Sequence, residues 1–214
     1  MSSGEAFNYQ KAFLEKDFEV FAPDLKGFGQ NEDMPYPYSL DDYVESVKEY
    51  LYQNGVNKPH VVAHSFGARI VIKLASVNPD FFDKIVITGG AGLKPKPNLI
   101  KSVKRGVFKL LKPLFGKEKL KSFYSTEYLA LSPVMRQSFI KIVNEHLDNL
   151  APLIKNPTLL IYGEKDTETP LYMAKRLNGY INNSKLSVYK DAGHFAFIDC
   201  PIKFNLEVRE FFLS

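Results

Sequence analysis

Cysteine is almost absent from this chain: Cys200 is the only one among 214 residues. An internal disulfide is therefore excluded. Long hydrophobic runs are missing too, and none approaches the ~20 residues that cross a bilayer. The start, Met1-Ser2-Ser3-Gly4-Glu5, has neither the basic region nor the apolar core of a secretion signal. Together these features point to the cytoplasm. Phosphate-binding glycine loops are also lacking. Gly27 and Gly29 have no third glycine and no immediate helix after them, and Gly90 and Gly92 run into Pro95 and Pro97. His60 and His64 have ligand spacing only on a helix, and on a strand they stand ~13 Å apart. No cofactor and no metal is expected. Internal repeats and low-complexity linkers are absent as well.

What remains is an ordinary apolar content, 45%, which suits one globular domain with an insertion. The net charge of +4 is unevenly spread. Lys94 to Lys121 holds ten Lys/Arg and one acid, Glu118, so it carries +9 and the rest of the chain −5. The basic charge belongs to one segment, which argues against a nucleic-acid-binding domain and leaves a membrane surface as a minor reading.

Apolar periodicity predicts a helix over 5–16, a strand over 18–23, and a helix that Ser39 and Asp42 open as a capping box. Strands follow at 60–63, 84–88, 158–162 and 186–189, with helices at 68–75, 170–177 and 204–213. Strands alternating with helices mean a mostly parallel sheet covered on both faces, an α/β fold. Residues 91 to 156 break the alternation. They are rich in Lys, Leu and Phe, with five prolines, and read as a helical lid between core segments 1–90 and 157–214. Ile100, Val103, Val107, Leu110, Leu111 and Leu114 share a helical face there, which suggests an apolar acyl pocket.

The most informative stretch is Ala63-His64-Ser65-Phe66-Gly67. A serine flanked by small residues two before and two after it, between a buried strand and a helix, is a nucleophile elbow. Large side chains at 63 or 67 would collide in so tight a turn. A serine hydroxyl is a weak nucleophile until a base takes its proton. His60 lies too low in its strand, His64 points away or into the elbow wall, and His146 sits in the insertion. His194 follows a strand and a glycine, on the rim where parallel sheets bind ligands. Asp166 leaves another strand end and suits the orienting acid, with Glu164 as fallback. Asp24 reads as a turn stabiliser and Cys200 as structural.

Four blocks then carry a family resemblance: Asp24-Leu25-Lys26-Gly27-Phe28-Gly29, Ala63 to Gly67, Thr158 to Pro170, and Ala192-Gly193-His194-Phe195. In that order they resemble the α/β-hydrolase superfamily, specifically the lidded bacterial serine hydrolases of esterase type. The resemblance implies an α/β-hydrolase fold with Ser65 as nucleophile, Asp166 as acid, His194 as base and the Phe66 N–H as one oxyanion donor. It implies hydrolysis of a carboxylic ester or related small acyl compound. One departure carries an expectation. No His-Gly precedes Asp24, so the family's first three strands and the loop giving a second oxyanion donor look absent. The third of them normally lies between the Phe18 and His60 strands, so a gap in mid-sheet is expected, with lower stability and turnover than in a chain extended upstream by a strand pair. A hydrolase-fold protein that only binds a ligand or partner is the alternative.

Overall fold

The computed structural model describes residues 3–31, 34–97 and 131–214. After a 3-10 turn at Gly4–Phe7 come α1 (Asn8–Leu14), α2 (Leu40–Gln53), β1 (Val61–His64), α3 (Phe66–Val77) and β2 (Ile85–Thr88). Then follow α4 (Pro133–Asn144), β3 (Thr158–Gly163), α5 (Leu171–Tyr180), β4 (Ser184–Tyr189), α6 (Ala196–Asp199) and α7 (Pro201–Leu213). The strands form one parallel sheet in chain order, β1-β2-β3-β4, with Val61 opposite Ile85, Ile85 opposite Thr158 and Thr158 opposite Ser184.

Side chains of a strand alternate between its faces, so each strand feeds two cores. Ala63, Ile85, Ile87, Leu160 and Tyr162 pack with α2, α3 and α5 on one face. Val86, Leu159 and Ile161 pack with Leu14 of α1 and Phe204, Val208 and Phe212 of α7 on the other. β2 and β3 are fully buried, which is why their sequences are continuous apolar runs rather than alternating ones. The capping box forms as expected: the Asp42 N–H donates to Ser39 Oγ at 3.2 Å, and the Ser39 N–H donates to Asp42 Oδ2 at 2.7 Å.

The strand expected at 18–23 does not form. The segment makes no ladder, because no strand of the described residues lies within hydrogen-bonding reach of it. β1 is accordingly the sheet edge, although it is as apolar as an interior strand. Val61 and Ser65 donate to Lys84 and Thr88 on the β2 side. By alternation, the backbone groups of Val62 and His64 face the other way. There a cavity of about 880 Å³ separates β1 from residues 18–23. Val61 and Val62 are only half-buried beside it.

Of the expected insertion, residues 91–97 and 131–156 are described; the apolar face from Ile100 to Leu114 lies outside the described residues. The helix α4 is tied to α3. Arg69, buried, donates to the carbonyls of Ile142 (3.0 Å) and Glu145 (2.8 Å). Lys73 pairs with Glu145 at 2.6 Å and with Asp41 at 2.7 Å. Among the described residues no helix is long and apolar enough to cross a membrane.

Candidate active site

The elbow is built as its sequence suggests. Ser65 sits between the end of β1 and the start of α3 with φ 48° and ψ −108°. A non-glycine residue held in so sparsely populated a region carries strain of order 1–3 kcal/mol, which the surrounding packing must sustain. Three backbone bonds hold it: its N–H donates to Thr88, and its carbonyl accepts from Ala68 and Ala91. Phe66 is the first residue of α3, so its N–H has no acceptor within the helix and lies at the positive end of the dipole.

Small residues at 63 and 67 let the strand and helix meet. A methyl on Gly67 would lie 3.8 Å from the Ala63 Cβ, an ordinary contact. Only larger groups are excluded. Gly67→Ala is therefore expected to leave the melting temperature unchanged or to raise it, since alanine is favoured over glycine in a helix by up to about 1 kcal/mol.

The Asp166 carboxylate lies beyond β3, buried and fully occupied. The N–H groups of Glu168 (2.8 Å) and Thr169 (2.9 Å) donate to Oδ1, and the Thr169 hydroxyl donates to Oδ2 at 2.7 Å. The ring of His194, beyond β4, donates Nδ1–H to Oδ2 at 2.9 Å. Burial works to raise the carboxyl pKa, but the His194 and Thr169 bonds outweigh it and hold Asp166 below the usual carboxylate range.

The two loops are locked together. The N–H of Glu164 donates to Tyr189, that of Lys165 to Ala192, and that of Gly193 to Asp199 Oδ2 at 2.7 Å. Gly163 is where they touch, and a Cβ there would run into the carbonyl oxygens of Gly193 and Ala192. Gly89 (φ 51°) plays the same part from β2, since a Cβ on it would meet His194 O at 2.8 Å and Nδ1 at 3.0 Å. Gly163→Ala is expected to cost about 1–3 kcal/mol in urea unfolding, the usual cost of overpacking. It should lower turnover besides, because the displaced atoms adjoin His194.

The structure thus brings Asp166 and His194 together. It places Ser65 and His194 on the wall of one cavity, without a hydrogen bond between them. The other histidines fall out as expected. His60 is at the far end of β1, 3.3 Å from Asp83 and stacked on Phe212; His146 is exposed. Asp24 accepts the N–H groups of Gly4 (2.7 Å) and Gln30 (3.0 Å), as a turn stabiliser would. Glu164 is exposed and does not reach His194.

Three residues near the pair were given no part in the chemistry from the sequence. Thr169 orients the carboxylate. Glu168 places Oε2 3.5 Å from His194 Nε2. His64 packs its ring 4.6 Å from that of His194 and against Phe195 and Phe197. Its Nε2–H donates to the His194 carbonyl at 3.1 Å, which leaves Nδ1 as the bare nitrogen. Burial, and then the neighbouring His194, push its pKa down to about 4. His64 is a neutral prop beneath the loop of His194.

Comparison with known proteins agrees with this fold. A sequence model of the alpha/beta hydrolase fold matches residues 2–112 and 97–201. The chain belongs to that family. It is 25% identical over 232 residues to the AB hydrolase superfamily protein YisY of Bacillus subtilis (strain 168), covering 96% of this chain and 85% of the relative. It superimposes on the meta-cleavage product hydrolase CumD of Pseudomonas fluorescens IP01 with TM-score 0.74 and 25% identity, over 99% of this chain and 86% of that one. The esterase EaEST of Exiguobacterium antarcticum shares the fold, with TM-score 0.78 and 23% identity over 100% and 88% of the two chains.

Proposed function

We propose that the protein is a serine hydrolase that cleaves a small carboxylic ester or related acyl compound through an acyl-enzyme. One observation carries the reading: a buried His194–Asp166 pair, joined at 2.9 Å, opens on the same cavity as a strained elbow serine. Ser65 Oγ attacks the acyl carbonyl and His194 Nε2 takes its proton. Asp166 holds the ring so that Nδ1 carries the hydrogen, and it stabilises the imidazolium. The Phe66 N–H, at the head of α3, faces the negative charge that develops on the carbonyl oxygen. His194 then gives the proton to the leaving alcohol. A water activated by the same nitrogen releases the acid and frees Ser65.

The wall near Ser65 favours an apolar acyl group. Phe28 stacks on Phe66 at 5.4 Å, and Met135, Phe139 and Ile142 of α4 line the same cavity. Within the expected insertion, α4 serves as the described part of a lid over this pocket. A carbon–carbon bond beside a carbonyl is the second substrate class, favoured by the likeness to CumD, whose name gives a meta-cleavage product as substrate. The single cysteine suits a cytoplasmic location.

A fluorophosphonate tests the reading, since it phosphonylates only an activated serine. Rapid labelling that disappears in Ser65→Ala is the expected result. A native protein that never labels would instead be a hydrolase fold that binds without catalysis.

A further inference from the structure

Among the described residues, Glu168 is the charged side chain that reaches the His194 ring without a part in the mechanism above. It lies two residues after Asp166, which accepts its backbone N–H at 2.8 Å. That bond anchors the main chain, while the side chain reaches back to the other edge of the His194 ring. Its Oε2 stands 3.5 Å from Nε2, the nitrogen that must receive the Ser65 proton. The residue lines the same cavity as Ser65 and is 65% exposed, so its charge looks into the open part of the site. Among the described residues, no Lys or Arg pairs with it. The other carboxylate on the cavity wall near the elbow, Asp24, is occupied by two backbone N–H groups. The cavity it shares with Ser65 is also lined by Phe28, Phe66, Met135 and Phe139.

We propose that Glu168 sets the charge preference of this site: it favours acyl groups bearing a positive charge over neutral ones, and rejects those bearing a carboxylate near the scissile bond. The inference rests on the hydrolase reading, because the charge matters only if the bond is broken beside Nε2. An acyl carbon attacked by Ser65 sits within a few ångströms of that nitrogen. A charge a few bonds along the acyl chain then lies some 6–8 Å from Oε2. At that range and an effective dielectric of 20–40, one charge changes binding by about sixfold to a hundredfold in each direction, with about tenfold toward the screened end. Water reaches Glu168, so the lower part of that range applies at high salt.

The test uses three p-nitrophenyl esters of matched acyl length, ending in a methyl, a trimethylammonium or a carboxylate group. In the native enzyme kcat/KM is expected to fall in the order cationic, neutral, anionic, with about a hundredfold between the extremes. Glu168→Gln should compress that span to less than threefold, and Glu168→Lys should invert the order. Glu164→Gln removes the same charge from an exposed position four residues away and should keep the native order. An unchanged span in Glu168→Gln overturns the proposal. The parallel Ser65→Ala variant separates the two failures. If it loses all three activities while Glu168→Gln keeps the native order, only the role of Glu168 falls. If it retains turnover, the hydrolase reading falls and this inference falls with it.

Discussion

Asp166→Asn is expected to lower kcat by about four orders of magnitude while leaving the fold intact. The reason is the hydrogen-bond pattern around the carboxylate. Two backbone N–H groups and the Thr169 hydroxyl all donate to Asp166, so an asparagine settles its carbonyl oxygen against the N–H groups of Glu168 and Thr169. Its NH₂ then replaces Oδ2. A donor now faces His194 Nδ1, where the carboxylate accepted at 2.9 Å. The ring must place its hydrogen on Nε2 instead, and that nitrogen can no longer take a proton from Ser65. The variant should also lose the stabilisation of the imidazolium. Stability changes less than activity, because the two backbone bonds survive the exchange. Steady-state kinetics beside thermal melting separate the two effects. A fall in kcat of less than tenfold would remove Asp166 from the mechanism.

The second large effect is on stability against pH, and it comes from His64. In the unfolded chain this residue takes up a proton at its ordinary pKa of 6.5; in the fold, burial and the adjacent His194 delay that to about 4. Between these values the unfolded state binds more protons, so stability must fall as pH falls. It is complete above pH 6.5 and declines steadily down to about pH 4. A shift of this size corresponds to a loss of about 3 kcal/mol. His60, whose pKa is also lowered by burial, acts in the same direction. Asp166 acts in a separate window, because a depressed carboxyl loses its contribution only below the ordinary carboxylate range. Urea unfolding between pH 4 and 8 should therefore show a slope in the native chain that is largely absent in His64→Phe. The phenylalanine fills the same aromatic niche against Phe195 and Phe197 but gives up the 3.1 Å bond to the His194 carbonyl. Equal slopes in the two proteins would mean that His64 titrates freely.

The parts of the molecule that could be read from the chain are those fixed by local chemistry. The elbow is one, because small residues at 63 and 67 about a serine, between a β-branched run and a helix, fit few other turns. The strands β2 and β3 are another, since burial on both faces leaves a continuous apolar signature. Asp166 and His194 were legible because each lies in a loop that leaves the end of a strand. Long-range relations were not. Residues 18–23 carry a strand's apolar residues, but a strand needs a hydrogen-bonded neighbour, and the cavity beside β1 takes that neighbour's place. His64 is a prop for His194 only because 130 residues of intervening chain bring their rings together. An exposed glutamate such as Glu168 gives no signal of its own. Its place becomes visible only when the loop after β3 bends it back over the imidazole. The helix α4 lies between these cases: Arg69 in α3 already held its anchor, but nothing near residue 69 announces two carbonyl partners more than 70 residues away.

The most direct trial of the mechanism is to trap its intermediate. The native chain, mixed with a p-nitrophenyl ester and quenched in acid within the first turnover, should release a burst of nitrophenol close to one equivalent per chain. Peptide mapping should then find the acyl group on Ser65 and on no other residue. A burst whose acyl group maps elsewhere, or ester turnover that persists undiminished in Ser65→Ala, would contradict the account.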